Sequence, residues 1–258
     1  MSLRTLRRAV ALAFALAVSV LSYWLVRAGG RVTLAKRAMW LQSMARRVLK
    51  ALGIHVRVHG RPPSAGLVVS NHLSYLDIAI ICSAMPCFFV SKSEVGRWPY
   101  FGRAARAGGT IFIDRENRAS IVEVAIQMAE RLKHPFPVVL FPEGTSSDGS
   151  KVLRFLSSLF EPATREGMPI TAAAVRYVLE DGEQERDLCW FDNSLFLPHL
   201  WKTLGTAGFS ADVQFGEPHV YAHRRTAAET THDEVKAMRA GSCELQPALY
   251  SQHSPTGI

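Results

Sequence analysis

Leu67-Val68-Val69-Ser70-Asn71-His72-Leu73-Ser74-Tyr75-Leu76-Asp77 is a short apolar run that breaks into a polar turn. Gly66 precedes the run, and Ser70 and Asn71 follow it, so Leu67 to Ser70 reads as a buried strand. From Ser74 the sequence becomes apolar again, Tyr75-Leu76-Asp77-Ile78-Ala79-Ile80-Ile81, which reads as the start of a helix. His72 therefore falls in the connection, at the carboxyl end of a strand, where open α/β sheets gather their chemistry.

The spacing of His72 and Asp77 constrains this stretch further. Within one regular helix, residues five apart are rotated by roughly 140° and cannot face each other. They meet only if His72 lies in the turn and Asp77 in the first helical turn. A carboxylate there would hold one imidazole nitrogen, fix its tautomer and leave the other as a base. Ser74-x-x-Asp77 is equally a capping box, with Asp77 at the positive end of the helix dipole. The two roles are compatible.

Working outward, the pattern alternates. Candidate strands are Ile54-Val58, Leu67-Ser70, Phe88-Ser91, Thr110-Ile113, Val138-Phe141, Ile170-Val175 and Asp212-Phe215. Helix-length segments lie between several of them. The clearest is Asn117 to Lys133, with Ile121, Val124, Ala125, Met128, Ala129 and Leu132 on one face. This predicts an α/β fold, a central mixed sheet flanked by helices. No internal repeat is present, and the tail beyond Pro247 is polar.

The amino-terminal part differs. Arg4, Arg7 and Arg8 precede Ala9 to Val26, an uncharged run that as a helix would span roughly 27 Å. Tyr23 and Trp24 suit a membrane interface better than a signal-peptidase site, so an uncleaved anchor is expected. Arg31 to Leu52 is basic and amphipathic, and Trp40 with its many Lys and Arg suits a helix lying on anionic lipid. The excess of basic residues after the anchor places the main domain in the cytoplasm. The expected division is 1–52 anchor and amphipathic helix, 53–225 main α/β domain, and 226–258 helix and tail. A formal charge of +8 asks for an anionic partner, a membrane surface or a phosphate. A nucleic-acid binder would explain only that charge. The four cysteines form no CxxC pair, which supports neither a disulfide framework nor a zinc site.

Two more strand ends carry chemistry. Gly109-Thr110-Ile111-Phe112-Ile113 delivers Asp114-Arg115, and Val138-Val139-Leu140-Phe141 delivers Pro142-Glu143-Gly144-Thr145. With Asn71-His72-x4-Asp77 and Met168-Pro169-Ile170, these blocks resemble the glycerolipid acyltransferase family, best known through the 1-acylglycerol-3-phosphate acyltransferases. Phe89 to Glu94, Pro99 and Gly102 add to the likeness, which covers residues 54–220. The resemblance implies His72 as general base on a lysolipid hydroxyl, with Asp77 orienting it. It implies Lys92, Arg115, Glu143, Gly144 and Thr145 around the acceptor. It also implies acyl-CoA or acyl carrier protein as donor substrate, no bound cofactor or metal, and a bacterial inner-membrane location. Ser146 stands where many phosphate-using members carry an arginine. With Trp190-Phe191-Asp192-Asn193-Ser194 and Pro198-His199-Leu200-Trp201, it is similar to the bacterial lyso-ornithine lipid acyltransferases. The expected acceptor is 1-acylglycerol-3-phosphate, with lyso-ornithine lipid as the alternative. A non-catalytic lipid-binding protein would leave His72, Asp77 and Glu143 unexplained, and a serine hydrolase lacks its Gly-x-Ser-x-Gly elbow.

Overall fold

A computed structural model describes residues 2–98, 100–114, 118–179, 184–192 and 194–241. Pro99, Arg115, Asn193, Cys243 and the polar tail lie outside the described residues, as do the side chains of 118–121. In chain order the elements are α1 (Leu3–Ala28), α2 (Leu34–Leu52), β1 (Ile54–His59), β2 (Leu67–Ser70), α3 (Leu76–Ala84), β3 (Phe88–Lys92), α4 (Phe101–Gly108), β4 (Ile111–Ile113) and α5 (Arg118–Leu132). They continue with β5 (Val138–Leu140), α6 (Glu161–Arg165), β6 (Ile170–Leu179), α7 (Phe196–Gly205), β7 (Phe209–Phe215) and α8 (Arg224–Ala240).

All seven expected strands form one sheet in the order β1-β7-β6-β2-β5-β3-β4. β6, β2, β5, β3 and β4 run parallel, whereas β7 is antiparallel to β6 and parallel to β1. β6 and β7 are longer than their apolar cores suggested, because the antiparallel ladder continues to Leu179 opposite Phe209. β2 and β5 are buried at every position, as continuous apolar runs in a parallel sheet should be. One apolar layer packs α2 and α3 on the sheet, and the other packs α5, α6 and α8.

The amino-terminal helices belong to this body. α2 starts at Thr33, whose hydroxyl accepts the Lys36 N–H, and ends at Gly53 in the left-handed conformation (φ 72°). Its Trp40 is not a lipid contact, which corrects the expectation for this stretch. The indole is buried 4.9 Å from the ring of Tyr23 and donates to the Ser19 carbonyl at 3.0 Å. Arg37 and Arg46 reach back to the carbonyls that end α4 and α3, Ala107 and Ser83, so they cap helices that would otherwise leave acceptors unpaired. α1 is apolar enough to cross a membrane, with a mean hydropathy of 2.2. One side packs against α2 and α7, while Val10, Phe14, Leu21, Trp24 and Leu25 remain exposed.

Candidate active site

β2 ends at Ser70, opposite Ala173 of β6. The Asn71 amide then takes over the ladder, donating to the Val175 carbonyl at 3.1 Å and accepting its N–H at 2.8 Å. That side chain pins the chain as it turns, and His72 follows. His72 Nδ1 lies 2.8 Å from Asp77 Oδ2. A carboxylate only accepts, so Nδ1 carries the hydrogen and Nε2 keeps a free lone pair. Asp77 Oδ2 also accepts the N–H groups of Leu73 (2.6 Å) and Ser74 (2.9 Å). One oxygen atom thus holds the imidazole and the turn that leads into α3, while the N-cap of that helix, Tyr75, has no side-chain cap. The carboxylate is fully buried, and the imidazole stacks on Phe141, with ring centroids 4.1 Å apart.

His72 borders a cavity of about 400 Å³. Its lining includes a polar set, Lys92, Gly144, Thr145, Ser146 and Asp192. It also includes an apolar set from four helices, with Leu12 of α1, Ala45 and Val48 of α2, Ala79 and Cys82 of α3, and Ala104 of α4. Four aromatic side chains of the lining (Tyr75, Trp98, Trp190 and Phe196) pack on one another, edge to face except for the tilted Trp98–Phe196 pair. The arrangement joins a base to a chamber suited to a hydrocarbon chain.

Of the remaining residues singled out in the sequence, Lys92 is exposed on the cavity wall, as is Thr145. Gly144 lines it with φ 77°, a conformation that favours glycine. Glu143 is placed differently from the expectation. It is absent from the wall, its carboxyl is buried, and Oε1 accepts the His72 N–H at 3.2 Å. It therefore braces the His72 turn from behind. Burial pushes this carboxyl up to about 8, against the opposing pull of the His72 and Leu153 N–H groups. Arg115 lies outside the described residues, and Asp114 beside it is exposed.

Sequence reading gave no structural role to three contributors. Tyr177 of β6 donates its hydroxyl to Asp77 Oδ1. Asn71 was visible only as part of a motif. The segment 184–192 closes over the turn: the Trp190 N–H donates to the Leu73 carbonyl, and the Ser146 hydroxyl to the Trp190 carbonyl. These partners lie 44 to 117 positions apart, and one chain offers no local signal for such pairings. Among the described residues no three His, Cys, Asp or Glu side chains gather as metal ligands.

Comparison with known proteins gives a consistent picture. The profile of the Acyltransferase family matches residues 55–176. A lyso-ornithine lipid O-acyltransferase of Rhodobacter capsulatus is 38% identical over 65% of this chain and 62% of its own length. One from Brucella abortus is 33% identical over 81% of this chain and 82% of its own. A 1-acyl-sn-glycerol-3-phosphate acyltransferase of Neisseria meningitidis is 34% identical over 67% and 68%. The crystal structure of a 1-acyl-sn-glycerophosphate acyltransferase from Thermotoga maritima superposes with a TM-score of 0.68, covering 92% of this chain and 93% of that one. At 18% identity this likeness establishes the fold alone.

Proposed function

The chain belongs to the acyltransferase family, and from that premise we propose that it moves a fatty acyl group from a thioester to the free hydroxyl of a lysolipid. The observation that carries this reading is the His72–Asp77 pair, 2.8 Å apart, with His72 lining a largely apolar chamber. His72 Nε2 takes the proton of the acceptor hydroxyl while the oxygen attacks the thioester carbonyl. The imidazolium that forms is stabilised by Asp77. Collapse of the tetrahedral intermediate breaks the carbon–sulfur bond, and the leaving thiolate recovers the proton from His72. The nucleophile is the substrate's own oxygen, so no enzyme serine is needed. The acyl chain occupies the chamber walled by α1 to α4. The donor is acyl-CoA or acyl carrier protein.

For the acceptor we place lyso-ornithine lipid ahead of lysophosphatidate, reversing the order suggested by the sequence. Among the described residues on the cavity wall, the fixed charges are one cation, Lys92, and one anion, Asp192. An ornithine head group offers a carboxylate and an ammonium to match them, whereas a phosphate would face Asp192 with like charge. Asp192 is also held at φ 53°, a conformation few non-glycine residues adopt and one that tends to persist at functional positions. The Rhodobacter and Brucella relatives carry that activity in their names. Lysophosphatidate remains the second reading, on the Neisseria relative. The exposed face of α1 rests in the membrane, with the catalytic body on the cytoplasmic side where acyl thioesters are made. Thiol release from a fixed acyl donor, measured with the two lysolipids side by side, tests the proposal. Release with neither would remove it, and release with lysophosphatidate alone would reverse the order.

A further inference from the structure

Asp77 Oδ2 is saturated: it accepts from His72 Nδ1 and from the N–H groups of Leu73 and Ser74. Its other oxygen, Oδ1, accepts from the phenol of Tyr177, which reaches across from β6 and is itself buried. The phenol is the side-chain donor that meets Oδ1, and it acts on the base through the carboxylate. We propose that Tyr177 is a positioning residue that sets how strongly Asp77 supports the imidazolium of His72, by drawing part of the carboxylate's charge toward Oδ1. This rests on the reading of His72 as the general base and goes beyond it.

The surroundings make Tyr177 the adjustable partner. The titratable or charged groups around Asp77 come from several elements: His72 from the turn, Glu143 after β5, Tyr177 on β6, Glu185 and Cys189 from segment 184–192, and Arg239 of α8. Glu185 and Arg239 hold each other at 2.7 Å, and Glu185 Oε1 accepts the Tyr177 N–H at 2.8 Å, which fixes the strand that carries the phenol. Burial keeps the Cys189 thiol neutral, pushed up to about 12, and Glu143 neutral below about 8. Burial and the adjacent Asp77 charge also hold the Tyr177 phenol protonated, so it remains a donor.

The sign follows from charge sharing. Without the phenol, the Asp77 charge concentrates on the remaining donors, the imidazolium is favoured, and His72 holds its proton to higher pH. In Tyr177→Phe the acid limb of kcat/KM should move upward by about half to one pH unit, roughly a three- to tenfold loss on that limb. The ring still packs on Phe209, 5.2 Å away. Phe209→Leu is the control, since it loosens the same packing without touching a polar atom. The measurement is thiol release from palmitoyl-CoA by the full-length protein in detergent micelles, followed across pH with the lysolipid that the wild type prefers. An upward shift in Tyr177→Phe with no shift in Phe209→Leu supports the proposal. An unmoved limb in a folded Tyr177→Phe protein overturns it, as does an equal shift in Phe209→Leu. Loss of the thermal transition in Tyr177→Phe would overturn it too, because the oxygen would then hold the fold rather than tune the base. A wild type that releases no thiol brings down the acyltransferase reading itself, which is a separate result.

Discussion

Asp77 Oδ2 stands 2.8 Å from His72 Nδ1 and also accepts two backbone N–H groups of the turn between them. One oxygen thus holds the imidazole and the turn that leads into α3. The consequence is a separable prediction for the pair. His72→Ala should lower turnover by a factor of roughly 10² or more, the range that general-base assistance supplies. Its melting temperature should change little, because the imidazole sits at the cavity edge. Asp77→Asn should lose activity and stability together, by about 1–3 kcal/mol, since a buried acceptor of several bonds is altered. Steady-state rates and thermal melts on both variants check this; near-normal turnover in folded His72→Ala would sink the mechanism.

Glu143 gives a pH prediction. Burial holds its carboxyl at about 8 rather than the usual 4.5. Between those values the folded protein keeps a proton that the unfolded chain has released. Stability therefore falls as pH rises through this window, at about 1.4 kcal/mol per unit for this one group. Glu143→Gln keeps an oxygen for the His72 N–H and carries no proton to lose. Its denaturation midpoint should be flatter than the wild type's from pH 5 to pH 8. Parallel slopes in denaturant titrations would show that the carboxyl is ionised throughout.

The amino-terminal helix should prove to be part of the catalytic body as well as a membrane contact. Leu12 lines the chamber, and Arg8 donates to the carbonyls of Thr206 and Ala207 at the end of α7. Deleting residues 1–27 should therefore cost activity even in detergent. Phe14→Asp with Leu21→Asp changes only exposed positions. That double variant should lose vesicle binding while keeping turnover in micelles within about threefold. Vesicle flotation and micellar assays on the two proteins separate these effects; full vesicle binding by the double variant would count against α1 as the membrane face.

The chamber should act on chain length. Ala45 is buried on its wall, at the α2 side. A leucine there shortens the space, and each methylene shut out forfeits about 0.8 kcal/mol of burial. Preference for long over short acyl donors should fall by about fourfold per excluded methylene. Competition between two acyl-CoA lengths reads this ratio directly, and an unchanged ratio would place the acyl chain elsewhere.

The head group can be dissected at two charges. Asp192→Asn should raise the Michaelis constant for lyso-ornithine lipid by roughly ten- to a hundredfold, the worth of a charge-assisted contact. It should leave lysophosphatidate unaffected or improved. Lys92→Met should weaken both. Equal effects of Asp192→Asn on both acceptors would remove it as a head-group partner.

The sequence alone determined a good deal here. Seven apolar runs bounded by Gly, Pro and polar turns marked all seven strands, because each buried strand must be apolar and each end must reverse. The spacing of five between His72 and Asp77 already required a turn followed by a helix, and the structure realises it in that way. Tertiary structure decided what local spacing does not encode. Trp40 looked like a lipid contact because an amphipathic helix meets lipid and core with the same apolar face; the presence of α1 beside it chose the core. Glu143 looked like a pocket residue because it adjoins Gly144, yet a one-residue step in a turn reverses the direction of a side chain, and it faces inward. Tyr177 gave no signal at all, since its partner lies 100 residues away and is met only when β6 is laid beside β2. The His72–Asp77 pair could be read from the chain, while the groups that hold it, and the chamber it lines, exist only once the sheet order is set.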